Sequence, residues 1–158
     1  MKMKMREILF RGKAINRYEG VEYITKYKNG DWVYGLLEKH YDERFKFPAE
    51  MRNTDGISGI DVDYKTIGQF TGLCDKNGKK IFEGDIVIYN DDENADGEGE
   101  FSIVVWYDDD VIGFALEHHS PSCEVYYECE WAQSCCYYEI IGNVFDNPEL
   151  LKDGDKAE

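Results

Sequence analysis

Short runs of apolar, β-branched and aromatic residues, many of them alternating with polar residues, recur along this chain and are typical of β-strands. Clusters of Asn, Asp and Gly separate the runs, and these residue types favour tight turns. The pattern predicts strands at 6–11, 21–27, 32–37, 60–66, 86–89, 101–107, 112–117, 125–127 and 137–144. The chain is therefore predicted to be a mainly β protein.

The first part of the chain is predicted to contain a β-hairpin around the turn Asn29-Gly30-Asp31. Its aromatic residues Tyr23, Trp32 and Tyr34 are expected to be the core anchors of this hairpin. From His40 to Gly59 the pattern gives way to charged residues and glycine, which predicts a mobile surface loop.

The most regular stretch runs from Gly68 to Tyr89. Two apolar runs flank the turn segment 75–80, in which Asn77-Gly78 can supply the positive φ angles of a tight hairpin. Gly84-Asp85 then precedes a third apolar run, and glycine permits a sharp bend at that point. Five or so short strands between 64 and 145 fit a small β-barrel.

Three segments of the chain contain recognisable sequence motifs: 5–12 at the start, 67–87 in the middle and 140–150 near the end. They read MREILFRG, IGQFTGLCDKNGKKIFEGDIV and IIGNVFDNPEL. In these segments the chain resembles the YopX-like family of phage and prophage proteins. The resemblance implies a C-terminal part like an SH3-type barrel, and it carries over no activity and no catalytic residues.

The predicted organisation follows from these patterns. Residues 1–63 form an N-terminal β region with the mobile loop, and 64–151 form the barrel domain. Within the latter, 147–151 is predicted to be a short helix, because Asn147 can cap it and Pro148 fits its first turn. Residues 152–158 are expected to be a disordered tail.

Charge is divided unevenly along the chain. Residues 81–151 contain 18 Asp and Glu and neither Lys nor Arg, whereas residues 1–80 contain 16 basic and 12 acidic residues. Phosphate binding requires clustered Lys and Arg, so the acidic part argues against direct nucleic-acid binding there. A basic phage or host protein fits this charge better, as does self-association of the two halves into a homo-oligomer. An acidic barrel could also mimic the charge of DNA.

One acidic loop is an incomplete candidate for a Ca²⁺ site. Oxygen-bearing residues alternate with others in the order that opens an EF-hand loop, and Gly97 stands at the position of the sharp turn. The twelfth position, however, is Ile103 instead of a bidentate Glu. The candidate ligands are Asp92, Asn94, Asp96, Glu98 and Glu100.

The residue types of a zinc site and of a nucleophilic active site are present, but the motif of neither is. The histidines 118 and 119 and the cysteines 123, 129, 135 and 136 are soft metal ligands without a Cys-x₂₋₄-Cys knuckle, so these cysteines are expected to be buried as small hydrophobic residues. No nucleophile motif accompanies the Ser, Cys and His residues, so neither an enzyme nor a cofactor is predicted.

Five cysteines without a disulfide spacing favour a reducing bacterial cytoplasm, and no apolar run is long enough to span a membrane. The function predicted from the sequence is a non-catalytic binding or assembly module. A nucleic-acid-associated or weak cation-binding factor is the alternative.

Overall fold

The computed structural model of the chain describes residues 7–16, 26–39, 49–91, 93, 97, 99–109 and 112–155. These residues form ten β-strands and three 3-10 helices, so the prediction of a mainly β protein is confirmed. The chain consists of two compact units, Met1–Phe70 and Thr71–Glu158. None of the described helices has the length and apolar character needed to cross a membrane.

The first unit is built on four antiparallel strands. They are β1 (Phe10–Ala14), β2 (Trp32–Lys39), β3 (Ala49–Asn53) and the part of β4 (Ile60–Cys74) that ends at Phe70. β1 pairs with both β2 and β4, while β3 joins β2 to β4, so the pairings close the four strands into a ring. The buried core of this ring is Ala14, Val33, Ala49, Met51, Ile60 and Val62.

The side chains that β2 buries differ from those predicted. Val33 is completely buried, whereas Tyr34 and its neighbour Leu36 are 40% and 50% exposed. Trp32 is half-buried and lies beneath the guanidinium of Arg11, 4.8 Å from its ring centroid. The prediction that Trp32 and Tyr34 anchor the core is therefore wrong, and Tyr23 lies outside the described residues.

Gly35 lies on the same buried face of β2 as Val33. A Cβ atom at Gly35 would lie 1.8 Å from the backbone oxygen of Arg52 on β3. Only glycine therefore allows the two backbones to approach so closely at this position.

The segment predicted as a loop, 40–59, includes a strand. Ala49 and Met51 on β3 are completely buried, and Met51 pairs with Ile60. The alternation of apolar and charged residues in this strand is only five residues long, and it was obscured by the charged sequence around it. Residues 40–48 lie outside the described residues.

The second unit starts with the end of β4, which leads into β5 (Lys80–Phe82). The turn between them has the predicted chemistry, since Gly78 has a φ of 79°. Asp75 is buried in this turn, and its Oδ1 accepts hydrogen bonds from the backbone N–H groups of Asn77 and Lys79, both at 2.9 Å. Its Oδ2 accepts a third from the N–H of Ile140 at 3.2 Å.

Five further strands of the second unit form an antiparallel sheet. They are β6 (Asp85–Tyr89), β7 (Phe101–Tyr107), β8 (Gly113–Ser120), β9 (Cys123–Glu128) and β10 (Tyr138–Asn143), in the spatial order β10-β6-β7-β8-β9. One face of the sheet packs on a core of Ile81, Val87, Val104, Leu116, Trp131 and Tyr138.

The order of this sheet leaves β9 and β10 at its two ends, so the SH3-like barrel predicted for 64–151 is not confirmed by the described strands. Two single-turn 3-10 helices, Trp131–Gln133 and Cys135–Tyr137, connect β9 to β10. A 3-10 helix, Pro148–Asp155, follows β10.

Candidate functional site on the second sheet

The acidic loop yields one described candidate ligand for Ca²⁺. Glu100 already uses both carboxylate oxygens, because Oε1 accepts from the hydroxyl of Ser120 at 3.0 Å and Oε2 accepts from the N–H of Gly97 at 2.9 Å. The bond from Ser120 ties the end of the loop to β8. The other candidates, Asp92, Asn94, Asp96 and Glu98, lie outside the described residues.

The cysteines do not form the cluster that a zinc site needs. All five are free thiols, and within the described ranges no three His, Cys, Asp or Glu residues are placed to share a metal ion. The prediction that they are buried is wrong, since Cys74, Cys123 and Cys136 are exposed and the others are half-buried. Burial raises the pKa of the Cys135 thiol.

The sheet instead brings together a serine, a histidine, a glutamate and a tyrosine, one from each of four strands. Ser102 and His118 are directly paired across β7 and β8, and the Ser102 hydroxyl lies 2.7 Å from His118 Nδ1. Nε2 of His118 lies 3.0 Å from a carboxylate oxygen of Glu128 on β9. That oxygen also accepts from the hydroxyl of Tyr138 on β10, at 3.3 Å.

This array holds the neutral His118 ring in one tautomer. A carboxylate can only accept, so Nε2 carries the proton and donates to Glu128, while Nδ1 accepts from the Ser102 hydroxyl. The order serine–histidine–carboxylate resembles a nucleophile with its base and orienting acid. Ser102 is only 1% exposed, however, and the hydrogen bonds of the array join the four strands to one another.

A second histidine lies on the opposite face of the sheet. The ring of His119 stacks on Phe101 with centroids 4.8 Å apart, and its Nε2 lies 2.7 Å from Glu117. Glu117 also accepts from the hydroxyl of Tyr127 at 2.9 Å. This hydrogen bond raises the pKa of Tyr127, because the carboxylate stabilises the protonated phenol.

A shallow polar cleft of about 120 Å³ lies where β7, β8 and β9 meet. Glu100, Ser102, His118, His119, Ser122 and Cys123 contribute to its lining. Its volume is well below that of the pockets that enclose small-molecule ligands, which are roughly 300 Å³ or larger. The cleft is therefore smaller than a typical small-molecule pocket.

A run of exposed apolar residues lies beside the cleft, on β9. Val125, Tyr126 and Tyr127 are consecutive and are 49%, 54% and 46% exposed. Alternate residues of a strand point to opposite faces, so these three project on both sides of the sheet. β9 also ends the strand order, with β8 as its neighbour on one side only among the described strands.

Three cations of the described part of the first unit form ion pairs within that unit. Among its described residues, Lys26 lies 2.8 Å from Asp55, Lys39 lies 2.9 Å from Glu50, and Arg52 lies 2.6 Å from Glu38. This last contact is the main cause that lowers the pKa of Glu38.

Sequence reasoning identified His118 and His119 as chemically active side chains but missed their partners. Ser102 and Glu128 are 16 and 10 residues away from His118, and only the register of three strands brings them together. The exposed strand was also missed as a site, although the run Val125-Tyr126-Tyr127 between Glu124 and Glu128 was its sequence signal.

The fold and the site thus define a β protein of two compact units, with a sheet whose exposed features are an aromatic strand and a small polar cleft. The YopX protein family model matches residues 9–152, nearly the whole chain. The chain belongs to the YopX family, as its sequence motifs predicted.

A crystal structure of protein EF1440 from Enterococcus faecalis has a similar fold. The match has a TM-score of 0.51 and 22% sequence identity, and it covers 94% of this chain and 100% of the other. No curated protein matches this chain.

Proposed function

We propose that this YopX-family protein is a phage- or prophage-derived, non-catalytic module that binds or assembles with other proteins. The observation that carries the proposal is the exposure of three consecutive large apolar residues on β9. An SH3-like arrangement of the second unit, as the family resemblance implies, is part of the proposal.

The exposed side chains are sufficient to stabilise an interface. A tyrosine that is about half exposed retains roughly 100 Å² for a partner to cover. At about 25 cal/mol per Å², covering Tyr126 and Tyr127 stabilises a complex by roughly 5 kcal/mol before the cost of association. Tyrosine is also common among the residues that dominate binding energy at interfaces.

The burial of Ser102 and the small volume of the cleft support a non-catalytic function. The absence of Lys and Arg from 81–151 supports a protein partner over a nucleic acid. The same acidity would serve an alternative function, in which the protein offers a DNA-like charge surface to a basic protein. Direct cation binding by the acidic loop is the other alternative.

The test is affinity capture from infected or lysogenic cells with the wild-type protein and two matched variants. Val125→Ser changes an aliphatic residue of β9, and Leu36→Ser changes one of β2 with almost the same exposure, 50% against 49%. We expect a partner to be retained by the wild type and by Leu36→Ser and to be lost by Val125→Ser. Capture that does not depend on Val125 would contradict this use of β9.

Self-association, predicted from the uneven charge, is tested separately. Light scattering at tens of micromolar protein should show an oligomer at low salt that dissociates at high salt, because Coulomb attraction is screened. A monomer mass under both conditions would refute this part of the proposal.

A further inference from the structure

We propose that the edge strand β9 binds its partner by strand addition, and that the partner segment is extended and basic, with alternating cationic and apolar residues. This inference rests on the proposed function and names the partner class for the same surface. There are two competing explanations: a second copy of this chain pairs with β9, or a basic segment binds by charge attraction without strand pairing.

The backbone of β9 suits strand addition. Its neighbour among the described strands is β8, with which it pairs antiparallel. An edge strand presents N–H and C=O groups outward, and natural proteins protect such an edge with Lys, Pro or a very short strand. β9 contains neither Lys nor Pro, and its central residues Val125, Tyr126 and Tyr127 have high β-propensity.

The two faces of β9 differ in chemistry. Tyr126 stacks on His118 with centroids 4.5 Å apart, and the alternation places Glu124 and Glu128 on the same face as Tyr126. Val125 and Tyr127 alternate with them and lie on the other face. Directly opposed residues on neighbouring strands interact most strongly, so an added strand should place cations on the first face and apolar side chains on the second.

The charge of this part of the chain selects a basic partner. Residues 81–151 carry 18 acidic groups and no Lys or Arg. A second copy pairing edge to edge, antiparallel and centred on Tyr126, would place Glu124 of each copy opposite Glu128 of the other. Like charges directly opposite each other destabilise strand pairing, whereas a basic segment neutralises them.

The experiment uses the full chain and three fluorescent decapeptides. One alternates Lys with Val, the second alternates Glu with Val, and the third is the Lys–Val peptide with alternate backbone amides N-methylated. N-methylation removes the backbone donors of one edge and keeps charge and apolar character. Binding is measured by fluorescence anisotropy, and amide hydrogen exchange reports whether the backbone of 124–128 becomes protected.

We expect the Lys–Val peptide to bind and to protect these amides, and the other two peptides to bind at least 10-fold more weakly. Glu124→Lys should weaken binding of the Lys–Val peptide by a similar factor. Asp108→Lys is the matched control, because it makes the same charge change at an exposed position in the turn after β7 and should bind like the wild type. Circular dichroism establishes that both variants are folded.

Equal binding of the methylated and unmethylated peptides would overturn strand addition and indicate charge attraction alone. Equal losses in Glu124→Lys and Asp108→Lys would overturn the assignment to β9. No binding of any peptide would overturn the inference while the capture experiment with Val125→Ser still decides the proposed function. A dimer that Val125→Lys converts to a monomer would show that a second copy occupies this edge.

Discussion

Replacing Asp75, in the turn between β4 and β5, with alanine should strongly destabilise the second unit. The carboxylate of Asp75 is buried and accepts three backbone hydrogen bonds, from Asn77, Lys79 and Ile140. Two of them shape the turn, and the third joins the turn to β10. The substitution removes all three acceptors at once.

The expected loss in the free energy of unfolding depends on how exposed the three donor groups are. Asn77 and Lys79 are exposed, so water can replace part of each bond and we assign roughly 1 kcal/mol to each. The N–H of Ile140 is partly buried, so its loss costs roughly 1–2 kcal/mol. The free energy of unfolding should therefore fall by about 3–4 kcal/mol, a large part of the stability of a typical domain.

Asp75→Asn separates these contributions. An asparagine keeps an oxygen for the two turn donors but presents an N–H group to Ile140, so we expect a loss of about 1–2 kcal/mol. The exposed Asp109 provides the control, and its replacement by alanine should change stability by about 0.5 kcal/mol or less.

Urea denaturation, followed by the fluorescence of the buried Trp131, measures these differences. A loss below about 1 kcal/mol for Asp75→Ala would refute the reasoning, because a buried acceptor of three bonds cannot be so dispensable. An asparagine variant as unstable as the alanine variant would refute the division between the turn and β10.

Four further predictions follow from single features. Gly35→Ala should reduce the free energy of unfolding by more than about 2 kcal/mol, because the added Cβ meets the backbone of β3. In the same urea assay Gly113→Ala is the control and should be nearly neutral, because a Cβ at Gly113 has open space around it. Cys135 should react with iodoacetamide more slowly than the exposed Cys136, because burial raises the pKa of Cys135 and leaves less of the reactive thiolate. Tandem mass spectrometry of the labelled peptide measures the two rates, and equal rates would contradict this prediction. A fluorophosphonate probe should leave Ser102 unlabelled, and labelling that depends on this serine would show a nucleophile open to solvent. Millimolar Ca²⁺ should leave the melting temperature unchanged relative to chelator, whereas a shift abolished by replacing the acidic loop residues would establish a site.

Local chemistry in the sequence determined several of the strands and turns of this protein. The run Phe101–Tyr107 is a strand as its apolar residues predict, and Asn77-Gly78 turns where its freedom to adopt a positive φ predicts. The sequence motifs also identified the family, because they depend only on the order of residues. Each of these features is decided by residues close together in the chain.

Tertiary structure decided which faces are buried and which side chains meet. β2 was predicted as a strand, but its packing in the first unit places Val33 in the core and leaves Tyr34 40% exposed. A period of two defines the two faces of a strand and does not say which one turns inward. Ser102, His118 and Glu128 likewise meet only through the register of β7, β8 and β9, and strand pairing is a non-local choice that no local pattern specifies.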